Sequence, residues 1–205
     1  MDTKQRILDE ALTLFSERGY ANVFVNDIAE KVGIKAPSLY KHYKNKQAIF
    51  DAIIDEMSSK FEQQAQALSI NGTNPTADAE VYRSMDEDHL IKLGNDLFAY
   101  FLHDSYTKRF RKMLTLEQFK DKDLARVYSE QYFDRPLSYQ GMLLGLLVAQ
   151  GLLVTENVPI MTLHFYAPIY MLLTVCDREP EREHEALELM EKHIRQFDKL
   201  YGRNF

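Results

Sequence analysis

The sequence predicts an all-α fold, a small three-helix domain over residues 1–50 followed by a larger helical domain over residues 51–205. Apolar residues recur three and four positions apart through most of the chain, the spacing of one helix face. Runs that alternate apolar and polar residues, as a half-buried strand would, are essentially absent. Glycine and proline fall where those helical runs end or begin.

Ile7, Leu8, Ala11, Leu14 and Phe15 line one face of an opening helix that ends at Gly19. Val25, Ile28, Ala29 and Val32 give the next helix one buried stripe. Gly33 stops it, because glycine takes a left-handed backbone without penalty. Pro37 fits the first turn of a third helix, where a missing N–H costs nothing. Leu39 and Tyr43 hold that helix on its neighbour and leave Ser38, Tyr40, Lys41 and His42 facing outward. A longer helix from about 46 to 68 buries Ile49, Phe50, Ile53, Met57, Phe61 and Ala65, and residues 69–76 form a polar, breaker-rich loop. Ser84, with Glu87 three residues on, resembles a capping box for a helix through Phe98 and Phe101. Two further helical stretches run over 106–119 and 122–150. Pro136 kinks or restarts the second, with Asp134 able to cap the restart. Pro159 opens a helix to about Cys176 and Pro180 a last one to about Tyr201.

A short, exposed, basic helix held after a glycine turn is the layout that enters a DNA major groove. Charge agrees with that locally. Residues 31–46 carry five lysines and no acid, although the chain has a net charge of −6. Residues 1–50 hold eight Lys and Arg against six Asp and Glu, whereas residues 51–205 hold seventeen against twenty-five. Such a distribution excludes a general nucleic-acid coat and fits a protein that touches DNA with one small face. The lone Cys176 excludes an internal disulfide framework and fits a reducing cytoplasm. The polar opening Asp2-Thr3-Lys4-Gln5 has no signal-peptide character. The longest apolar run, Gly141 to Val154, is interrupted by Gln150 and falls short of the roughly 20 residues that a bilayer needs. A cytoplasmic protein with no membrane partner is expected.

The first 50 residues resemble the DNA-binding domain of the TetR family of transcriptional regulators. The resemblance rests on Ile7-Leu8, Ala11, Leu14-Phe15, Gly19-Tyr20, Val25, Asp27-Ile28-Ala29, Gly33, Leu39-Tyr40, His42-Tyr43, Lys46 and Phe50, at fixed spacing without gaps. It implies an all-helical homodimer with two recognition helices in successive major grooves of a double-stranded operator, and a small molecule that releases the DNA. It implies that Tyr40, His42 and Lys46 meet phosphates, and that the stretch Lys35, Ala36, Pro37, Ser38 and Lys41 reads bases. Repression is the expected sign of regulation. Two positions depart from the family pattern. Val23-Phe24 stand where it usually has Thr or Ser before the first helix of the motif, so that Asn26 or Asn22 is left to supply a polar contact. The recognition helix begins Ala36-Pro37-Ser38, without a polar N-cap.

Residues 98–170 hold thirteen of the twenty-four aromatic residues. A pocket for a small hydrophobic or amphipathic effector is expected among Phe61, Phe98, Phe101, Phe110, Met113, Tyr132, Met142, Phe165 and Tyr166, with plain core as the alternative for each. The helix over 160–174 is apolar almost all round, and Ala186, Met190, His193, Ile194, Phe197 and Tyr201 form a stripe along the last one. A symmetry mate would cover such a pair in a four-helix bundle. Ile160, Tyr170, Met190, Ile194, Phe197 and Tyr201 are expected at that homodimer interface, and completion of a monomer core is the alternative.

No nucleotide-binding glycine loop or nucleophile motif is present. Asp86-Glu87-Asp88-His89 reads as acids at a helix start, which suit the macrodipole. No catalytic residue, metal or cofactor is expected, and no enzyme. Two other readings stay open: a DNA-binding regulator controlled by a protein partner, and a helical hydrophobe-binding protein with a vestigial helix-turn-helix. The intact lysine run weighs against the latter.

Overall fold

The computed structural model describes residues 2–203. They form α1 (Thr3–Arg18), α2 (Val25–Val32), α3 (Ala36–Leu39), α4 (Lys46–Ala67), α5 (Pro75–Arg83), α6 (Glu87–His103), α7 (Ser105–Glu117), α8 (Lys122–Ser129), α9 (Arg135–Ala149), α10 (Val158–Arg178) and α11 (Glu183–Tyr201). A π turn over Glu130–Asp134 joins α8 to α9. Extended pairing among the described residues is limited to an isolated bridge between Leu153 and Gly202.

The helices gather into two compact units. One comprises Met1–Phe61 with Asp104–Tyr128, the other Glu62–His103 with Ser129–Phe205. The division at residue 50 separates a helix-turn-helix from the remainder but does not coincide with these units. The physical reason is α7, which packs along α1. Its Phe110, Met113 and Leu114 are fully buried. Arg109 donates to the Asp9 carboxylate at 2.6 Å, the Asp9 carbonyl at 3.0 Å and the Thr13 hydroxyl at 2.5 Å.

Within the second unit, α6, α10 and α11 share a core of Phe98, Leu102, Leu172, Leu173, Cys176, Ala186, Met190 and Ile194. The helices α6 and α11 approach closely at Gly94, where a Cβ would stand 2.6 Å from Ile194 Cδ1. A neighbouring cluster joins Ala79 of α5 to Leu143, Leu144 and Leu147 of α9, Met161 of α10 and Phe197 of α11.

Several elements differ from the sequence expectation. The loop over 69–76 ends inside α5, because the Asn74 side chain accepts from the Thr76 and Ala77 N–H groups and Pro75 occupies the first helical position. Ser84 closes α5, its hydroxyl donating to the Val81 carbonyl at 2.8 Å, and does not cap α6. Asp86, which accepts from the His89 N–H at 2.9 Å, starts α6 instead. Those bonds from His89 hold the Asp86 carboxyl below its usual range. Asp134 is helical and makes no cap bond, since the π turn carries the chain into α9 and Pro136 falls where its missing N–H is tolerated.

Buried tyrosines add a pH dependence. Burial, with nearby carboxylates second, pushes the phenols of Tyr43 and Tyr82 up to about 12, and burial raises those of Tyr106 and Tyr139 as well. A phenol whose folded-state pKa exceeds its unfolded value contributes stability that is full below the unfolded pKa and lost as pH rises through the folded one. Urea midpoints are therefore expected to be flat up to pH 10 and to fall towards pH 12, with a shallower fall in Tyr82→Phe. A midpoint unchanged across that window would contradict the burial of these hydroxyls.

Candidate nucleic-acid interface

The interface is built on α1, which supports the two helices of the motif. Asp2 caps α1 by accepting from the Gln5 N–H, and Ile7, Ala11, Leu12 and Phe15 are fully buried. The α2 helix presents Ile28, Ala29 and Val32 to this support, and Arg6 donates to the Val32 carbonyl at 2.6 Å, tying α1 to the C-terminus of α2. There Gly33 takes φ 78° and ψ 32°, the left-handed turn expected of it, and the Ile34 N–H returns to the Ala29 carbonyl.

The third helix is shorter than expected. The α3 helix spans four residues, and the chain continues to Tyr43 in tight turns, with His42 N–H on Leu39 O at 2.9 Å and Tyr43 N–H on the same oxygen at 3.1 Å. Lys35 offers no side-chain cap, and Pro37 needs no N–H partner, so this sequence supports only one helical turn. Leu39 is fully buried and Tyr43 nearly so. Between and before these anchors Lys35, Pro37, Tyr40, Lys41 and His42 are exposed, while Ala36 and Ser38 are half-buried. Of the predicted base-reading stretch, Lys35, Pro37 and Lys41 are thus exposed, and Asn26 is exposed in the first turn of α2. Lys44, in the turn to α4, is exposed as well. It joins these exposed residues, and the lysine run was its only signal in the sequence.

Lys46 has a role within its own unit as well. Its ammonium donates to the carbonyls of Tyr20 at 2.8 Å and Val23 at 3.0 Å and lies 4.3 Å from the Tyr20 ring centroid. Partial burial lowers its pKa. Tyr20 is itself wedged between Phe15 and Phe50, at centroid distances of 5.0 and 5.2 Å. Two of the three ammonium hydrogens therefore hold the α1–α2 loop, and one is left for a phosphate. Lys46→Met is expected to lower the stability of this unit by about 1.5–3 kcal/mol, the range for hydrogen bonds to a charged group. Faster amide exchange over residues 20–25 would report it, whereas unchanged exchange would return Lys46 to a purely DNA-facing role.

The nine residues expected to line a pocket are not brought together. Phe110 and Met113 are fully buried in the first unit, which also contains Phe61. Phe98 lies in the α6–α10–α11 core with Phe101 packed against it, Phe165 packs on Phe197 at 5.0 Å, and Met142 is exposed on α9. Tyr166 donates to the Tyr132 carbonyl at 2.7 Å, at the π turn. Cavities of about 350 Å³, lined by Asp2, Leu8, Tyr43, Asp55 and Glu56 among others, and about 290 Å³, lined by Ile160, Met161, Leu200 and Tyr201 among others, include none of the nine. Aromatic composition marks burial here, and most of these rings fill core.

The expected dimer residues divide in a similar way. Met190, Ile194 and Phe197 are buried within their own unit, and so cannot form a surface for a second chain. Tyr170 and Tyr201 are half-buried, and the Tyr201 hydroxyl meets His164 Nδ1 at 2.5 Å. Only Ile160 of the six is well exposed, in company with Leu163 and Met171 on α10 and Leu189 and Leu200 on α11. Periodicity located the inward stripe of α11, and the outward one went unread. By length and composition α10 is apolar enough to cross a membrane, which the run Gly141 to Val154 is not. One of its faces packs on α6, α9 and α11. Among the described residues no group of three or more His, Cys, Asp or Glu side chains is placed to hold a metal ion.

A one-turn helix flanked by the exposed Lys35, Lys41 and Lys44, beside a glycine turn and seated on two supporting helices, defines a helix-turn-helix domain of the class that enters DNA grooves. Residues 7–53 match the family model described as bacterial regulatory proteins, tetR family. The chain is 43% identical over 58 residues to IcaR of Staphylococcus epidermidis, an HTH-type negative transcriptional regulator of the biofilm operon icaADBC. That match covers 28% of this chain and 31% of the relative. With IcaR of Staphylococcus aureus it shares 48% identity over 48 residues, covering 23% and 26%. The chain thus aligns with about a third or less of the length of these relatives. The whole fold is similar to that of a putative TetR-family regulator from Mesorhizobium loti, with TM-score 0.69, 20% identity and coverage of 98% and 97%. It is also similar to SmeT, the repressor of the Stenotrophomonas maltophilia multidrug efflux pump SmeDEF, with TM-score 0.66, 20% identity and coverage of 100% and 92%.

Proposed function

We propose that this protein is a cytoplasmic transcriptional repressor that binds an inverted-repeat operator as a homodimer and is released by a small hydrophobic or amphipathic ligand. The observation that carries the reading is the exposed surface of Lys35, Tyr40, Lys41, His42 and Lys44, held in place by the buried Leu39 and Tyr43. Lysines on phosphates supply affinity that falls steeply with salt, and Ser38 and Lys41 are the candidates to read base edges. The functional division falls near residue 50, with DNA binding before it and ligand binding and dimerisation after it. Selection of bound sequences from a random duplex pool at physiological salt tests the proposal. Expected is an inverted repeat with half-sites about 34–36 Å apart, one helical turn. Recovery of unrelated sequences would refute it.

The dimer is assigned to the outward faces of α10 and α11. Ile160, Leu163 and Met171 lie on one side of α10, and Leu189 and Leu200, eleven residues apart, on one side of α11. Two helices from each copy would then meet in an isologous bundle. The double substitution Leu163→Asp with Met171→Asp is expected to halve the sedimentation mass while leaving helicity intact, because both residues are exposed in the single chain. A dimeric double variant would place the interface elsewhere. For the effector, the rings of Tyr132, Phe133 and Tyr166, each within 6.2 Å of Tyr170 at their centroids, support a site beside the π turn. Turns of this kind recur at functional positions.

A further inference from the structure

We propose that Phe24 is a DNA-contacting residue whose ring lies against a deoxyribose of the backbone flanking the groove that α3 enters, an inference that rests on the DNA-binding reading above. Phe24 is 67% exposed, while Val23 beside it is fully buried. A single exposed apolar side chain needs no explanation by itself, but this one is held rigidly. Its N–H donates to the Asp27 carboxylate at 2.7 Å, and its carbonyl accepts from the N–H groups of Asp27 at 3.0 Å and Ile28 at 3.3 Å. One residue earlier, Lys46 holds the Val23 carbonyl. The backbone is thus fixed on both sides of Phe24, and only the two side-chain torsions remain free, so little entropy is lost when the ring is covered.

The position selects the partner. In a helix-turn-helix the first helix crosses the sugar–phosphate backbone while the second occupies the groove. Phe24 is the residue from which α2 starts. A phenyl ring cannot bond a phosphate oxygen, and the apolar part of the backbone within reach of that helix end is the C–H surface of the sugar. The N-terminal end of α2 also carries partial positive charge, which draws the adjoining phosphate towards it. Phe24 would therefore add affinity on any sequence without adding dependence on salt.

The test compares the full-length wild type with Phe24→Ala and Phe24→Leu on the duplex recovered by selection and on a scrambled duplex, across a range of salt concentrations. Hydroxyl-radical footprinting, which reports protection of individual deoxyriboses, accompanies the titrations. Phe24→Ala is expected to weaken binding to both duplexes about tenfold, the loss of one buried ring face, with the logarithmic salt slope unchanged. Protection should disappear at one sugar per half-site, and Phe24→Leu should keep most of both signals. Melting curves of the variants check that the domain remains folded. Wild-type affinity and footprint in Phe24→Ala would overturn the assignment, and so would a reduced salt slope, which marks a lost phosphate charge. A wild-type protein that binds neither duplex would refute the DNA-binding reading itself.

Discussion

Asp78→Ala is expected to destabilise the second unit by about 3 kcal/mol, the cost of removing a fully buried carboxylate that pairs three part-buried donors. Asp78 is fully buried at the first turn of α5. Its carboxylate accepts from the Asn71 N–H at 2.6 Å, the Gly72 N–H at 2.8 Å and the Tyr139 hydroxyl at 2.6 Å. One side chain thereby closes the loop before α5, which includes Gly72 at φ 75°, and ties α5 to α9. Alanine leaves two backbone donors and a phenol, all part-buried, without this partner. Asp78→Asn keeps one acceptor oxygen and should cost less, while Tyr139→Phe, which removes a single donor, should cost about 1 kcal/mol. Urea unfolding followed by circular dichroism measures the order of the three variants. A loss below about 0.5 kcal/mol in Asp78→Ala, the level of an ordinary surface change, would show that the loop does not depend on this carboxylate.

Leu39→Ala is expected to lower the local stability of the reading helix by about 3 kcal/mol, within the 2–5 kcal/mol range for truncating a buried leucine. Leu39 is the buried residue of the four in α3. Residues 35–42 owe their orientation to it and to Tyr43, because one helical turn has almost no stability of its own. Binding to every duplex should fall by about a hundredfold as the surface loses its fixed angle, since each 1.4 kcal/mol is a factor of ten. Leu39→Met, which conserves volume, should retain most of the affinity. Amide exchange over residues 33–45 should accelerate in the alanine variant and stay slow in the second unit. Undiminished DNA binding by Leu39→Ala would mean that α3 is not the reading element.

What the sequence made legible follows from where its physics is local. The glycine turn at Gly33, the stripe of α2 and the exposure of Tyr40, Lys41 and His42 depend on neighbours within a few residues and could be read, whereas Ser38, expected to face outward with them, is half-buried. Asn74-Pro75 was equally local, a cap followed by a proline in the first turn, but in a breaker-rich stretch it read as loop. The roles of Lys46 and Arg109 were not legible, because their partners lie 23 or more and about 100 residues away in the chain. The same holds for the pairing of α7 with α1, which places residues 104–128 in the first unit. Periodicity showed that α11 has an apolar stripe. It could not distinguish a face buried by the same chain, as at Met190, Ile194 and Phe197, from one available to another copy, as at Leu189 and Leu200.

The most direct measurement of the central claim is the ratio of affinities for the selected repeat and for a scrambled duplex of equal length, taken with purified protein at physiological salt. A sequence-reading dimer should prefer the repeat by roughly a thousandfold or more. Equal affinity for the two duplexes would leave only phosphate attraction, and would contradict the assignment of residues 35–42 as a reading surface.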